Sequence, residues 1–190
     1  MRELSLFSGA GGGLLASKYL LGWRTVGYVE YDDYCQRVLA QRIKDGLLDE
    51  APIFGDIRAF IRDGFAASYQ GMVDVVSAGF PCQPFSVAGK RKGKDDDRNM
   101  WPATIEVIRI VKPRYAFLEN VPGLLGATNG EACGWDMDDG PGDNLRYFGT
   151  ILSDLSEAGY DAEWTVLGAD DVGAPHRRKR LWVLAYRSES

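Results

Sequence analysis

The chain has 190 residues, of which 45% are hydrophobic and 26% charged, and this size suits one soluble domain with little room for a second. A formal net charge of -5 argues against nucleic-acid binding over the whole surface, because phosphate contacts need Lys and Arg. No run approaches membrane-spanning length, and three scattered cysteines form neither a zinc pattern nor a disulfide framework, so we expect a cytoplasmic protein without a metal site.

Short apolar runs alternate with helical periodicity, which predicts an α/β fold with a mostly parallel sheet. We predict seven strands, at Leu4–Phe7, Thr25–Val29, Pro52–Phe54, Val73–Ser77, Tyr115–Leu118, Trp164–Leu167 and Leu181–Ala185. Helices are predicted from about Gly12 to Leu21, around Tyr34 to Ile43, from Trp101 to Val111, and through Leu145, Phe148 and Leu155 up to a Gly159 cap. A surface loop is predicted at 126–143.

Unusual residues follow the ends of five successive strands, which is the strongest regularity in the sequence. They are Gly9, Gly11 and Gly12 after the first strand, Glu30 after the second, Asp56 after the third, Pro81 and Cys82 after the fourth, and Glu119 and Asn120 after the fifth. Ligands of open α/β sheets bind outside the carboxyl ends of the strands. We therefore expect one site at this edge of the sheet.

The SGAGGG turn indicates an adenosine site, although it also fits an ordinary strand-to-helix turn without a ligand. It lacks the third glycine of the dinucleotide fingerprint, since that position is Leu14. Glu30 suits the ribose hydroxyls, and Asp56 suits an exocyclic amine such as that of adenine. With no Lys or Arg in the turn, a ligand without phosphates such as S-adenosylmethionine fits better than ATP or NADP.

GFPCQPFS places Cys82 between Pro81 and Pro84, on a stiff loop beside the expected crevice. Such a thiol is a candidate nucleophile, and the competing interpretation is a buried structural cysteine. Glu119, in FLENVPG, can hold and donate a proton, or can serve only as a cap or turn residue. Together, a thiolate and a carboxyl suit addition to an aromatic heterocycle.

These segments resemble the DNA (cytosine-5) methyltransferase family over most of the chain and in the family's order. Its motifs have counterparts in LFSGAGG, Glu30, GDI at 55–57, PCQPFS, RNMWP at 98–102, ENV at 119–121 and APHRRKR. The combination of PCQ, ENV and Arg-x-Arg is highly specific. The resemblance implies a Rossmann-like methyltransferase fold, with a mostly parallel twisted sheet and helices on both faces.

The resemblance also implies the cofactor, S-adenosyl-L-methionine, and the residues of its site. The implied cofactor residues are Phe7, Ser8, Gly9, Ala10, Gly11, Gly12, Glu30, Tyr31, Asp56, Ile57, Pro81 and Met100. A cytosine would be flipped out of DNA, attacked at carbon 6 by Cys82 and gripped by Glu119. Arg178 would hold the base's oxygen, and Arg180 would support the fold or contact phosphates. The lysine-bearing segment 83–98, beginning at Gln83, would close over the DNA.

The sequence departs from the family's pattern in two ways that leave alternatives open. His176 stands where Gln is usual, and we expect it to be structural. No counterpart of the target-recognition domain or of the last two motifs is present. The chain is then either active as it stands, a catalytic subunit that needs a second chain, or a degenerate adenosine-binding core. RNA or a free nucleotide remains an alternative substrate.

Overall fold

The structure is a computed structural model, and it describes residues 1–81, 99–126 and 147–188. Its strands are β1 (Arg2–Leu6), β2 (Arg24–Val29), β3 (Ile53–Phe54), β4 (Val75–Ala78), β5 (Tyr115–Asn120), β6 (Tyr160–Leu167) and β7 (Arg180–Arg187). Its α-helices are α1 (Gly12–Leu21), α2 (Asp33–Lys44), α3 (Ile57–Arg62), α4 (Phe65–Ser68), α5 (Trp101–Val111) and α6 (Tyr147–Glu157). Short 3-10 helices lie at Pro122–Gly126 and Asp170–Val172.

All seven strands form one sheet in the order β3-β2-β1-β4-β5-β7-β6. Strands β1 to β5 pair in parallel, whereas β7 runs antiparallel to both β5 and β6. The predicted α/β fold with a mostly parallel sheet is therefore confirmed. Strand order reverses between β1 and β4, and this is the position where open α/β sheets bind ligands beyond their carboxyl ends.

Successive side chains of a strand point to opposite faces of the sheet, and the two faces of this sheet are packed differently. One face carries the main core, in which alternate strand residues such as Leu4, Leu118 and Val183 pack with residues of α3, α4, α5 and α6. On the other face, α1 and α2 enclose a second core around Tyr28 and Leu39. There the described residues leave β4, β5, β7 and β6 open to a cavity, and Leu184 of β7 is 40% exposed.

Helix boundaries follow the local chemistry of the chain. Asp32 caps α2, since its Oδ1 accepts a hydrogen bond of 2.9 Å from the Cys35 N–H, and this contact lowers the pKa of Asp32. Helix α5 has Pro102 in its first turn and ends at Val111. The next residue, Lys112, caps the helix with φ +50° and precedes Pro113. Gly159 follows α6 with φ +84°, as a helix cap requires.

The structure adds two short helices to the predicted elements and lengthens several strands, β6 most of all. Helices α3 and α4, of 6 and 4 residues, were not predicted because each is too short to show a helical period. Strand β6 begins at Tyr160 rather than at the predicted Trp164. It is an edge strand with one open face, so it can include the charged residues Asp161 and Glu163. The predicted loop at 126–143 lies outside the described residues from 127 onward.

Neither a candidate membrane span nor a cluster of metal-ligating side chains is found in the described ranges. None of their helices combines the length and the apolar character needed to cross a bilayer. Nor do these ranges bring three His, Cys, Asp or Glu side chains together as metal ligands.

Candidate active site

The glycine turn between β1 and α1 is folded tightly over the carboxyl end of β1. Its backbone enters the left-handed region at Phe7 (φ +54°), Gly9 (φ +54°) and Gly11 (φ +81°). The Gly11 N–H donates to the Ser8 carbonyl at 3.0 Å. A Cβ at Gly11 would lie 3.0 Å from Cδ2 of Leu39, so both conformation and space require glycine there. The turn therefore presents its backbone with few side chains in the way.

Glu30 joins the glycine turn to the end of β2. Its Oε2 accepts a hydrogen bond of 2.6 Å from the Gly9 N–H, and its Oε1 accepts one of 2.8 Å from the Asp32 N–H. A carboxylate offers about four lone pairs, so two acceptor positions remain on this side chain. The two backbone contacts orient Glu30 beside the turn, where the sequence predicted an acceptor.

Three other predicted cofactor residues lie in different surroundings. Asp56 caps α3, and its Oδ1 accepts a hydrogen bond of 2.9 Å from the Arg58 N–H. Tyr31 is 80% exposed beside Glu30. Ile57 is buried in the main core, so only its backbone can face a ligand. The capping role of Asp56 occupies one carboxylate oxygen and leaves Oδ2 for a ligand.

Arg42 of α2 contacts the glycine turn, and the sequence analysis missed it. Its Nη1 donates to the Ala10 carbonyl, 32 residues earlier in the chain. Leu39, one helical turn before it, packs on Gly11. Residues three apart share a helix face. The spacing of Leu39 and Arg42 could therefore indicate that both contact the turn, once α2 is placed against it.

The ends of β4 and β5 are joined beside the predicted nucleophile. The Asn120 side-chain amide donates to the Phe80 carbonyl at 3.1 Å, two residues before Cys82. Glu119 also faces this segment, since its Oε2 would lie 3.6 Å from a Cβ on Gly79. Cys82 itself lies outside the described residues, as do the segment 83–98 and Cys133. The described chain nevertheless leads to Cys82 from a backbone position held by Asn120.

Arg180 pairs with Glu119, which refines the predicted role of Arg180 in the fold. Its Nε donates to Glu119 Oε1 at 2.9 Å, and the two side chains are 25% and 37% exposed. Arg178 is exposed and has φ +28°, a strained backbone value for a residue with a side chain. His176 is exposed as well. The structure thus places Arg180, rather than Arg178, on the candidate catalytic carboxyl.

The segment around Met100 packs behind the end of β4. The ring of Trp101 lies 5.4 Å from that of Phe80, and its Nε1 donates to Asp154 at 2.7 Å. Met100 is half-buried and packs against the main core, whereas Pro81 is exposed. These contacts support Phe80, and with it the described backbone that leads to Cys82.

A cavity of about 700 Å³ brings the two halves of the candidate site together. Its lining includes Phe7 and Ser8 of the turn after β1, Gly79 after β4 and Glu119 of β5. Ligand pockets commonly span 300 to about 1,000 Å³, so this volume suits a nucleoside-sized molecule. The glycine turn and the carboxyl, which the sequence could only place at one edge of the sheet, therefore share one opening.

Three relatives match this chain over nearly its whole length. M.NgoMIV of Neisseria gonorrhoeae, a type II methyltransferase, is 32% identical over 98% of this chain and 52% of its own length. M.HpaII of Haemophilus parainfluenzae is 32% identical over 98% of this chain and 46% of its own length. M.AquIA of Picosynechococcus is 33% identical over 97% of this chain and 71% of its own length. The chain spans about half the length of the first two relatives.

Solved structures and a family model agree with this likeness. The Spodoptera frugiperda DNMT2 mutant has a TM-score of 0.65 at 22% identity, covering 98% of this chain and 50% of that one. Entamoeba histolytica EhMeth has a TM-score of 0.68 at 20% identity, covering 100% and 53%. At these identities the structures show the fold alone. The model of the C-5 cytosine-specific DNA methylase family matches residues 1–190, and the chain belongs to that family.

Proposed function

We propose that this chain is the catalytic core of a DNA cytosine-5 methyltransferase that uses S-adenosyl-L-methionine. One observation carries the proposal: the glycine turn and Glu119 line the same cavity, and Asn120 holds the backbone two residues before Cys82 beside it. A nucleophile, a carboxyl and an adenosine site are the three parts that methyl transfer to a pyrimidine ring needs. Family membership supports the same conclusion.

The described residues suit the proposed cofactor. Glu30, held by the N–H groups of Gly9 and Asp32, keeps acceptor positions for ribose hydroxyls. Asp56 keeps Oδ2 for the adenine amine, and the backbone of the turn allows close approach at Gly9. The turn carries no Lys or Arg that could bind a phosphate, and S-adenosylmethionine contains no phosphate group. We assign the remaining cofactor residues, Phe7, Ser8, Ala10, Gly11, Gly12, Tyr31, Ile57, Pro81 and Met100, on the resemblance.

In the proposed reaction, the Cys82 thiolate adds to carbon 6 of a flipped cytosine, and carbon 5 becomes nucleophilic. Glu119 donates the proton of its Oε2 to ring nitrogen 3, which neutralises the negative charge that this addition puts on the ring, and it accepts a hydrogen bond from the exocyclic amine. Arg180 orients Glu119 through Oε1, so that Oε2 faces the base from the side of Gly79. When bound, the cofactor would supply the methyl group that carbon 5 takes, as its sulfonium–methyl bond breaks and S-adenosylhomocysteine is left. A base then removes the carbon 5 proton, and the Cys82 sulfur leaves carbon 6 with its electron pair.

We further propose that target recognition is supplied by polypeptide outside these 190 residues, of which a second chain is one source. The relatives M.NgoMIV and M.HpaII have about as much chain again beyond the part that these 190 residues match. In a chain of net charge -5, basic residues cluster in the sequence at Lys90, Arg91, Lys92 and Lys94 and again at 177–180, and phosphate contacts need such residues. A thiolate nucleophile and a DNA substrate together favour a reducing compartment that holds DNA, which in a bacterium is the cytoplasm.

Covalent trapping tests the proposed function. We expect the chain, incubated with S-adenosylmethionine and DNA that contains 5-fluorocytosine, to form an adduct that survives denaturing electrophoresis, because the fluorine cannot be eliminated. Cys82→Ala should abolish the adduct, whereas Cys35→Ala on α2 should leave it intact. Because target recognition is assigned to polypeptide outside these 190 residues, the assay uses micromolar protein, single-stranded as well as duplex DNA, and a mixture of sequences.

The outcomes separate the alternatives. An adduct that Cys82→Ala retains would assign the nucleophile elsewhere. Cofactor binding by calorimetry without any adduct would support a degenerate adenosine-binding core. An adduct formed with RNA but not with DNA would correct the substrate class.

A further inference from the structure

Two described stretches of chain border the segment 82–98, and they meet in the core behind the candidate site. They are residues 79–81 and 99–101, and together we call them the stem. The ring of Phe80 lies 5.4 Å from that of Trp101, at an angle of 49°. Both residues are buried. One buried aromatic contact therefore joins the two halves of the stem.

Helix α6 holds the second half of the stem with two hydrogen bonds. The Tyr147 hydroxyl donates to Asn99 Oδ1 at 2.6 Å, and the same oxygen accepts from the Trp101 N–H at 3.2 Å. Asp154 Oδ2 accepts from Nε1 of Trp101 at 2.7 Å. Tyr147 and Asp154 are about two helical turns apart and lie on the same side of α6. The helix therefore holds the residues on either side of Met100.

The hydroxyl of Tyr147 is not needed to fill the core. The buried residues of α6 are Tyr147, Phe148, Ile151 and Leu155, and Tyr147 alone among these four carries a hydrogen-bonding side chain. A phenylalanine would occupy the same space without a buried hydroxyl that must find a partner. A buried polar group is satisfied in few arrangements, so it specifies direction as well as contact. What the hydroxyl adds is therefore a fixed position for Asn99.

Asp154 ties the same helix to two places on α5. Its Oδ2 binds the Trp101 indole, and its Oδ1 lies 3.6 Å from Nη2 of Arg109, two turns further along α5. Hydrogen bonds to an ionised carboxylate are stronger than those between neutral groups. A rotation of α5 that carried Trp101 away from Phe80 would break both contacts, so Asp154 resists it.

We propose that Tyr147 and Asp154 are positioning residues for the Cys82 nucleophile. By holding the second half of the stem they fix Phe80, and with it the point from which the chain continues to Cys82. The inference rests on the proposed function, in which the Cys82 sulfur adds to carbon 6 of cytosine. Such an addition needs the reacting atoms at about 3 to 3.5 Å, and a displacement of about 1 Å can cost about 100-fold in rate. Both residues act through the stem, since Tyr147 itself is buried in the main core.

Kinetics of covalent trapping test the role of Tyr147. Adduct formation on 5-fluorocytosine DNA, followed over a range of S-adenosylmethionine concentrations, gives a maximum rate and a half-saturating concentration. Tyr147→Phe should lower the maximum rate about fivefold, the effect of one neutral hydrogen bond. The half-saturating concentration should stay within about twofold, because the cofactor residues are unaltered.

Tyr160→Phe is the matched control for this substitution. Tyr160 is as buried as Tyr147, and its hydroxyl donates to the Pro113 carbonyl at 2.6 Å, near the amino end of β5 and away from the stem. It should lose a similar amount of stability and keep the maximum rate. The proposal is overturned if the two variants have equal maximum rates. It is also overturned if Tyr147→Phe raises only the half-saturating concentration, which would place its effect on the cofactor.

Two substitutions of Asp154 test the second contact. Asp154→Leu removes the acceptor and should lower the maximum rate about tenfold, as expected for a charge-assisted hydrogen bond. Asp154→Asn keeps an oxygen for the Trp101 indole N–H and should recover most of that rate. Equal rates for the two variants would assign the effect to the Arg109 ion pair and overturn the role of Asp154 on Trp101.

Amide hydrogen exchange reports the stem without any activity, and so separates this inference from the proposed function. Peptides that cover 75–81 and 99–108 should exchange faster in Tyr147→Phe than in Tyr160→Phe, whereas a peptide over 24–29 should not differ. If the unaltered chain forms no adduct, the proposed function fails, and faster exchange confined to Tyr147→Phe would still support the positioning contact. Equal exchange of the stem peptides in both variants would overturn it, whether or not an adduct forms.

Discussion

Arg180 of β7 donates from its Nε to Oε1 of Glu119 on β5 at 2.9 Å, across two strands that pair antiparallel. The contact spans 61 residues of sequence. It occupies one carboxyl oxygen and leaves Oε2 on the side of Gly79, three residues before Cys82 in the chain. A guanidinium bonded to one oxygen of a half-exposed carboxyl fixes the plane of that carboxyl as well as its charge.

Arg180→Met should slow covalent trapping on 5-fluorocytosine DNA by about tenfold or more, because Glu119 loses the contact that aims it at the base. The rate of adduct formation measures this effect, and calorimetry should show cofactor binding within about twofold of the unaltered chain. Lys179→Met changes the exposed neighbour and serves as the control. Equal trapping rates for Arg180→Met and Lys179→Met would show that Glu119 is oriented without Arg180.

Arg42→Met should weaken S-adenosylmethionine binding by about tenfold, since a charge-assisted hydrogen bond to the Ala10 carbonyl contributes about 1.5 to 3 kcal/mol. Part of that contribution is lost to solvent at a half-buried side chain. Titration calorimetry gives the Kd, and Arg37→Met, on an exposed position of the same helix, is the matched control. An unchanged Kd for Arg42→Met would mean that the turn keeps its shape without this contact.

Gly11→Ala should lower the free energy of unfolding by about 1 to 3 kcal/mol, because it combines a φ of +81° with a Cβ 3.0 Å from Leu39. The neighbouring Gly12→Ala should be neutral or slightly stabilising, since Gly12 lies in α1 and a Cβ there meets nothing within 4 Å. Urea unfolding of the two variants measures the difference. Similar losses for both would contradict the packing of α2 on the turn.

The pH dependence of stability should include a contribution from Asp74. Hydrogen bonds from the guanidinium and then the N–H of Arg2 lower the pKa of Asp74, and they join the starts of β1 and β4. A lowered folded-state pKa stabilises the fold above the unfolded-state pKa of about 3.9, and this contribution disappears as the pH falls through the folded-state value.

Asp74→Asn should therefore lower the urea midpoint at pH 7, and the gap from the unaltered chain should narrow below about pH 4. Asp63→Asn is the control, because among the described residues the Asp63 carboxylate pairs only with its sequence neighbour Arg62 on the surface. That local pair joins no separate elements, so we expect no comparable gap. A gap for Asp74→Asn that stays constant down to pH 3 would exclude titration of this carboxyl as the cause.

Most of the strand and helix positions were predictable because they depend on local patterns. Alternation in LSL and LWVLA and the spacing of Trp101, Ile105 and Ile108 each express which face of an element is buried. The edge at which Glu30, Asp56 and Glu119 lie was predictable too, since parallel strands place their carboxyl ends together. Recognition of the family needed only the motifs and their order.

What the sequence alone determined about this protein is its fold class, its family and the residue types at the carboxyl edge of the sheet, because these depend on near neighbours in the chain. Only the tertiary structure decided that Arg180 bonds to Glu119, that Arg42 bonds to the glycine turn and that the buried Glu3 accepts a hydrogen bond from Ser77. Such contacts join residues 32, 61 or 74 positions apart. Their partners depend on strand order and on helix placement, and no local pattern in the sequence records either.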